Sequence, residues 1–395
     1  MDRFPAPPYP RAAAKQHAPR ARGRRSALVW AAATLAALLA SLAGLATLLL
    51  IGYGTGPVNF ATGLVLAVLP APIYVTLVLW LDRYEAEPAW MLAASFFWGA
   101  LVAVFFALII NTLGVEFVSA VLDEGAGRFY GMVVSAPLVE EGVKALALFA
   151  LFLWKRDEFD GVLDGIIYAA MVGLGFATTE NVKYYSEAFV EENALGVFIV
   201  RGLFSPFAHP LFTAMTGIGL GLAAQSRGGA LKLLAPALGL AAAVALHAGW
   251  NAAAFFAITY ESGAYVVLTY LLVMVPVFVG LLAVVVAALR REGRLLREHL
   301  RCDLERGLLA REEYERLCSL RGRASASLGA LAGGEGIKAW RARTRLNRAA
   351  SELAFLRSRV ARGLAPAGGP CAEREAEFVR QIQGLQRELA AGGRR

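Results

Sequence analysis

Several side chains able to do chemistry fall within long apolar stretches, where a polar or charged group costs about 2.5–3.5 kcal/mol on insertion scales. Glu140 and Glu141 are adjacent, and Lys144 follows at spacings of four and three, so it can pair with either acid on one helical face. Pro137 just upstream loosens that helix and frees a carbonyl. In the next apolar stretch Phe176, Glu180 and Tyr184 are spaced by four and share a face, with Asn181 beside Glu180. Arg201 and His209 follow, His209 lying between Pro206 and Pro210, with Thr213 and Thr216 further along. His247 and Asn251, at i and i+4, point the same way. The chain has four histidines, His17, His209, His247 and His299, and two of them lie in apolar stretches. One buried histidine is more often a satisfied core residue. Two, accompanied by Glu140, Glu141, Glu180 and Asn251 in successive stretches, form a set that this reading explains poorly.

Such a set can run hydrolysis inside a membrane. A carboxylate takes the proton from water while His or Asn donates to the developing oxyanion. Glu140 or Glu141 is the expected general base, with Glu141 ahead because it begins the spacing of three to Lys144. His209, His247 and Asn251 are expected to bind a metal or the oxyanion, and Glu180 to be a ligand or second acid. His209, His247 and Glu180 would also make a two-His, one-carboxylate zinc site with an open position. Other routes fit worse. There is no HExxH, no GxGD and no GxSxG. Leu163-Asp164-Gly165 echoes one zinc-protease element, but Asp164 near a helix end equally suits a cap. Two further readings use the same residues differently. In a proton- or cation-coupled transporter they form a relay, although no internal repeat is visible. In a membrane anchor for the basic C-terminal tail they are structural.

The elements that must position these groups follow from composition. The chain has 395 residues, 57% hydrophobic and 18% charged, with mean hydropathy +0.54. Apolar runs long enough to span a bilayer recur between residues 27 and 289. The pattern predicts an all-α, polytopic transmembrane helical bundle with about eight spans: 27–51, 58–80, 89–111, 128–154, 161–185, 195–224, 232–258 and 264–289. The net charge of +8 divides sharply. Residues 1–26, a Pro/Ala/Arg-rich tail expected to be disordered, carry about +6; residues 290–395 carry +10; residues 27–289 carry −8. Two basic tails flanking an even number of spans place both termini in the cytoplasm of a cell-membrane protein and against anionic lipid. Nucleic acid is not an expected partner. Acids dominate the opposite loops, among them Glu116, Asp123, Glu124, Glu187, Glu191, Glu192 and Glu261. Beyond the bundle, 290–322 reads as an amphipathic helix or hairpin, 324–336 as a Gly/Ala/Ser linker, and 337–362 and 373–390 as helices of a cytoplasmic tail. Cys302, Cys318 and Cys371 all lie in that tail without zinc-finger spacing, as free thiols.

These residues resemble the PrsW-type intramembrane proteases, distant relatives of the CAAX-processing and bacteriocin-immunity membrane proteases. The resemblance covers roughly residues 60–290. It rests on EExxK (Glu140, Glu141, Lys144), FxxxEN with a following Tyr (Phe176, Glu180, Asn181, Tyr184), a membrane His after an Arg (Arg201, His209) and HxxxN (His247, Asn251), in that order. It implies cleavage of a peptide bond in a membrane-anchored protein, in the namesake's case an anti-sigma factor cut on the extracytoplasmic side. It groups the chain with metalloproteases, while the CAAX-processing relatives look like metal-free glutamate enzymes. Those relatives carry Arg where Lys144 stands and His where Glu180 stands.

Overall fold

The computed structural model describes residues 23–82, 84, 86–156, 158–191, 193–226, 228–332, 336–363, 366 and 368–392. Most of the expected disordered tail, residues 1–22, lies outside them, as do the loop residues Arg83, Glu192 and Arg227. The regular elements among the described residues are all helices, with no strand. The membrane part runs α1 (Gly23–Thr55), α2 (Pro57–Val68), α3 (Ala71–Leu81), α4 (Ala89–Val121), α5 (124–154), α6 (Val162–Val190), α7 (194–204), α8 (Ala208–Gln225), α9 (Leu231–Thr259) and α10 (Ala264–Glu305). Helices α11 (Arg311–Leu317), α12 (Leu320–Ala332), α13 (Gly336–Ala361) and α14 (Pro370–Gly392) complete the tail.

Among the described residues, six helices are long and apolar enough to cross a membrane, rather than the eight anticipated: Ala31–Thr55, Pro57–Leu81, Ala89–Val121, Val162–Val190, Leu231–Thr259 and Ala264–Glu305. The other two anticipated stretches are also helical but less uniformly apolar. In α5, Glu140, Glu141 and Lys144 lower the apolar character of 128–154. The stretch 195–224 is interrupted, because α7 ends at Phe204 and α8 starts at Ala208, with Pro206 between them. The outward sides of α1, α2 and α10 expose large apolar side chains, such as Leu42, Leu49, Val58 and Leu272, as a lipid-facing surface requires.

Helix α6 is the axis of the fold. Of its most apolar window 89% is buried, against 11–33% for the other five spans. Small residues let its neighbours approach to backbone contact. A Cβ on Gly165 of α6 would overlap the carbonyl oxygen of Gly217 on α8, and the reverse holds too. On the other side, a Cβ on Gly175 would overlap Phe96 O and one on Gly99 would overlap Val172 O, which seals α6 to α4.

Four helices contain π-helical turns: Trp98–Ala103 in α4, Tyr130–Ser135 in α5, Ile199–Phe204 in α7 and Tyr270–Met274 in α10. Such turns widen a helix by one residue and free carbonyls for other donors.

The C-terminal helices pack onto the bundle. Leu296, Leu300, Leu309, Leu317, Leu346 and Leu353 share one core with Tyr84, Phe159 and Leu163 at the ends of the spans. Buried Arg323 donates to Leu317 O at 2.7 Å, Ser351 Oγ at 2.8 Å and Tyr84 O at 3.4 Å, tying the tail to the loop between α3 and α4. The expected linker 324–336 is instead mostly the helix Leu320–Ala332, as its alanines favour.

The same loop contains Glu87, 6% exposed. Its backbone N–H donates to both Asp82 carboxylate oxygens, at 3.1 and 2.9 Å, and its side chain accepts from the Tyr168 hydroxyl. Burial, reinforced by the charge of Asp164, pushes the Glu87 carboxyl up to about 10 from an ordinary 4.5. The folded protein therefore keeps this proton where the unfolded chain has lost it. Stability contributed by neutral Glu87 is complete below pH 4.5 and declines as pH rises towards 10. Glu87→Gln should flatten the fall in melting temperature between pH 6 and 9.5, roughly that window, read in detergent micelles. An unchanged slope would remove Glu87 as its source.

Candidate active site

The residues singled out in the sequence meet where α5, α6, α8 and α9 pack together. Lys144, 0% exposed, is the hub. Its Nζ lies 2.9 Å from Glu141 Oε1, 3.6 Å from Glu140 Oε2 and 3.0 Å from His209 Nδ1, and sits 3.7 Å above the centre of the Phe176 ring. A desolvated ammonium needs such a full set of partners.

The two adjacent acids are in different situations. Glu141 is saturated: Oε1 meets Lys144 and, at 3.1 Å, His247 Nδ1, while Oε2 accepts the Thr213 hydroxyl at 2.9 Å. Glu140 has no hydrogen-bond partner at its buried Oε2, which lies 3.9 Å from His247 Nε2. Glu140 lines a cavity of about 930 Å³, and Glu141 does not. The spacing to Lys144 had put Glu141 ahead; in the structure it is Glu140 that reaches the cavity and Glu141 that is enclosed by partners. Successive helical side chains point about 100° apart, so one faces the cavity and the other the packed interior.

The histidines are oriented by what they touch. His247 stacks on Phe212 with centroids 4.9 Å apart, and its Nδ1–H donates to Glu141, which leaves the Nε2 lone pair towards Glu140. His209 begins α8 just after the break at Pro206. Its Nδ1 accepts from Lys144, so Nε2 carries the hydrogen and donates to Glu180 Oε2 at 2.8 Å. These tautomers follow from the hydrogen-bond network.

Glu180 is also gripped by Arg201, on the π turn of α7. The guanidinium donates to Asn181 Oδ1 at 2.6 Å as well and lies 3.9 Å over the Tyr184 ring. The cavity runs from Glu140, His209 and His247 towards Glu116, Arg128 and Asn193, near the helix ends remote from the tail.

Asn251 lines the cavity, but its amide goes to the backbone, with Nδ2 donating to Met132 O at 2.9 Å. Asp164 lies at the other end of α6, where its carboxylate accepts the Asp160 N–H at 3.0 Å. Two contacts were missed in the sequence. Ser135 donates to Asn111 Oδ1 at 2.7 Å, and Thr179 donates to Ala100 O at 2.8 Å on the π turn of α4. Asn111 could have been found as the lone amide in an apolar run.

Glu140, His209 and His247 can each offer a ligand atom, all within 4.8 Å of one another. Two imidazoles and a carboxylate suit a catalytic divalent cation. The unpartnered Glu140 Oε2 and the free face of His247 Nε2 fit that use. Glu141 on His247 Nδ1 supplies the usual outer carboxylate. Both His209 nitrogens are engaged, Nδ1 by Lys144 and Nε2 by Glu180, so His209 ligates a metal only by giving up one of these partners. The sequence had put Glu180 in the ligand set, but here it sits behind His209 and beside Arg201.

Because Lys144 neutralises buried acids, Lys144→Met should destabilise the protein by about 3–5 kcal/mol. The check is the thermal midpoint in detergent. A midpoint within a degree or two of wild type would show that the acids do not depend on this cation.

A family model described as PrsW family intramembrane metalloprotease matches residues 87–281, which contain the whole site. Protease PrsW of Geobacillus kaustophilus is 34% identical over 142 residues, 36% of this chain and 58% of the relative. Protease PrsW of Clostridioides difficile is 39% identical over 153 residues, covering 38% and 62%. Protease PrsW of Oceanobacillus iheyensis is 30% identical over 162 residues, covering 40% and 70%. The chain thus spans about three-fifths of the first two relatives. No solved structure matches it. With a membrane helical bundle, a matching family model and a relative matched over 70% of its length, the chain belongs to the PrsW family of intramembrane metalloproteases.

Proposed function

We propose that this chain hydrolyses a peptide bond of a membrane-anchored protein at the cavity between α5, α6, α8 and α9. One observation carries the reading: a buried carboxylate, Glu140, has an oxygen without a hydrogen-bond partner in a cavity shared with two imidazoles. A water within reach of Glu140 Oε2 and His247 Nε2 can lose a proton to Glu140 as it attacks a carbonyl carbon. Glu141 holds His247 in the tautomer that accepts from that water. Arg201, which lines the cavity and has N–H groups beyond those given to Glu180 and Asn181, is the donor available to the developing oxyanion, and His209 joins it by releasing Glu180. Glu140 then returns its proton to the leaving amine.

Zinc held by Glu140, His209 and His247 would supply Lewis acidity to the carbonyl and to water. With Glu140 committed as a ligand, Glu180 is the carboxylate left to take the proton.

A protein segment in the bilayer is the substrate class that suits an apolar cavity among membrane helices. The family namesake makes an anti-sigma factor the first candidate to test. The basic tails favour both termini on the cytoplasmic side, against anionic lipid, which puts the cavity mouth on the outer side. No observation favours the coupled-transporter alternative.

The test is cleavage of single-span reporter proteins by the purified full chain in liposomes. Glu140→Gln should lose about 10²–10⁴-fold in rate with an unchanged melting temperature. Undiminished cleavage by that variant would overturn the role of Glu140. Metal content measured with and without a chelator separates the two routes. Stoichiometric zinc whose removal stops cleavage supports the loaded site, and full activity of metal-free protein supports the carboxylate acting alone.

A further inference from the structure

The π turn in α5 poses a backbone problem. Within it the Ala136 N–H donates to Gly131 O, five residues back, rather than to Met132 O, four residues back. Met132 O thus loses its α-helical donor. The donor five residues ahead of it is Pro137, which has no N–H. A carbonyl left this way beside an apolar bundle is costly. It is filled from another helix, by Asn251 Nδ2 of α9 at 2.9 Å.

We propose that Asn251 is a positioning residue that replaces the missing amide of Pro137, and by holding the π turn open sets the direction in which Glu140 faces. Helix α9 then grips α5 on both sides of the proline. Asn251 holds Met132 before it, and His247, one turn earlier on α9, holds Glu141 after it. Without Asn251, the Ala136 N–H can return to Met132 O and the turn can tighten to α-helix. That removes the extra residue from the turn and rotates Glu140 and Glu141 relative to the segment before them. Asn251 therefore acts through α5 and does not touch the reacting atoms.

The effect on cleavage rests on the hydrolytic reading above; the effect on folding does not. The test is a double-mutant cycle between Asn251→Ala and Pro137→Ala in the full chain, read by reporter cleavage and by thermal midpoint in detergent. Alanine at 137 restores an N–H, so Met132 O can be satisfied within α5. Asn251→Ala should cost about tenfold or more in cleavage and lower the midpoint in the native background. In the Pro137→Ala background the same change should cost less than about threefold and leave the midpoint nearly unmoved, the non-additivity expected of partners in one network. If Asn251→Ala alone yields no folded protein, recovery of folded protein in the double variant carries the same meaning. A loss equal in both backgrounds would overturn the proposal and make Asn251 a group that contacts substrate. If wild type cleaves no reporter, the hydrolytic reading fails separately, while the thermal cycle still decides whether Asn251 holds the turn.

Discussion

The site depends on one constraint: a fully buried ammonium must be surrounded by groups that replace water. Lys144 meets it with Glu141, Glu140, His209 and the face of Phe176, contributed by α5, α6 and α8. Three helices are thereby fixed around one charge. Each secondary contact follows from it. Glu141, committed to Lys144, has its remaining capacity taken by Thr213 and His247, so α9 is drawn in. His209, accepting from Lys144, turns its other nitrogen to Glu180, which draws in Arg201 of α7. Glu140, which makes only a 3.6 Å contact with the lysine, is left to the cavity.

Much of this inventory was legible in the sequence, because charged residues in apolar runs are few and each demands a reason. Glu140, Glu141, Lys144, Glu180, His209 and His247 were all visible this way, and they do converge. Their division of labour was not. Which neighbouring acid faces the cavity depends on the phase of α5, and a π turn alters that phase. Partnerships such as Lys144 with His209 or Asn251 with Met132 O join positions 65 and 119 residues apart, beyond any local periodicity. In the tail, leucines at helical spacing announced amphipathic helices. They could not announce that the buried side would dock on Tyr84 and Phe159 at the ends of the spans. The composition of 324–336 suggested a linker because glycine and serine dominate the eye, whereas alanine and the anchoring of Arg323 dominate the energy.

The π turns connect these two levels. Those in α4 and α5 each expose a carbonyl that is taken by a side chain next to the site: Thr179, beside Glu180, on Ala100 O, and Asn251, one turn from His247, on Met132 O. A third, in α7, carries Arg201 itself. Irregular backbone at membrane depth is tolerated where other groups satisfy it, and here those groups come from the helices that also bear the acids and bases.

The glycine seams described for α6 have a mechanical meaning. Helices α4 and α8 touch it backbone to backbone, with no side-chain cushion to compress or slide, so this side of the cavity behaves as a fixed jamb. Thr47 and Ile51 of α1 and Ala254 and Ile258 of α9 line the same cavity from helices whose apolar windows are only 17% and 22% buried. Acyl chains, which yield easily, stand behind that side. On the proposed hydrolytic reading, a substrate helix arriving sideways from the lipid would find its doorway there.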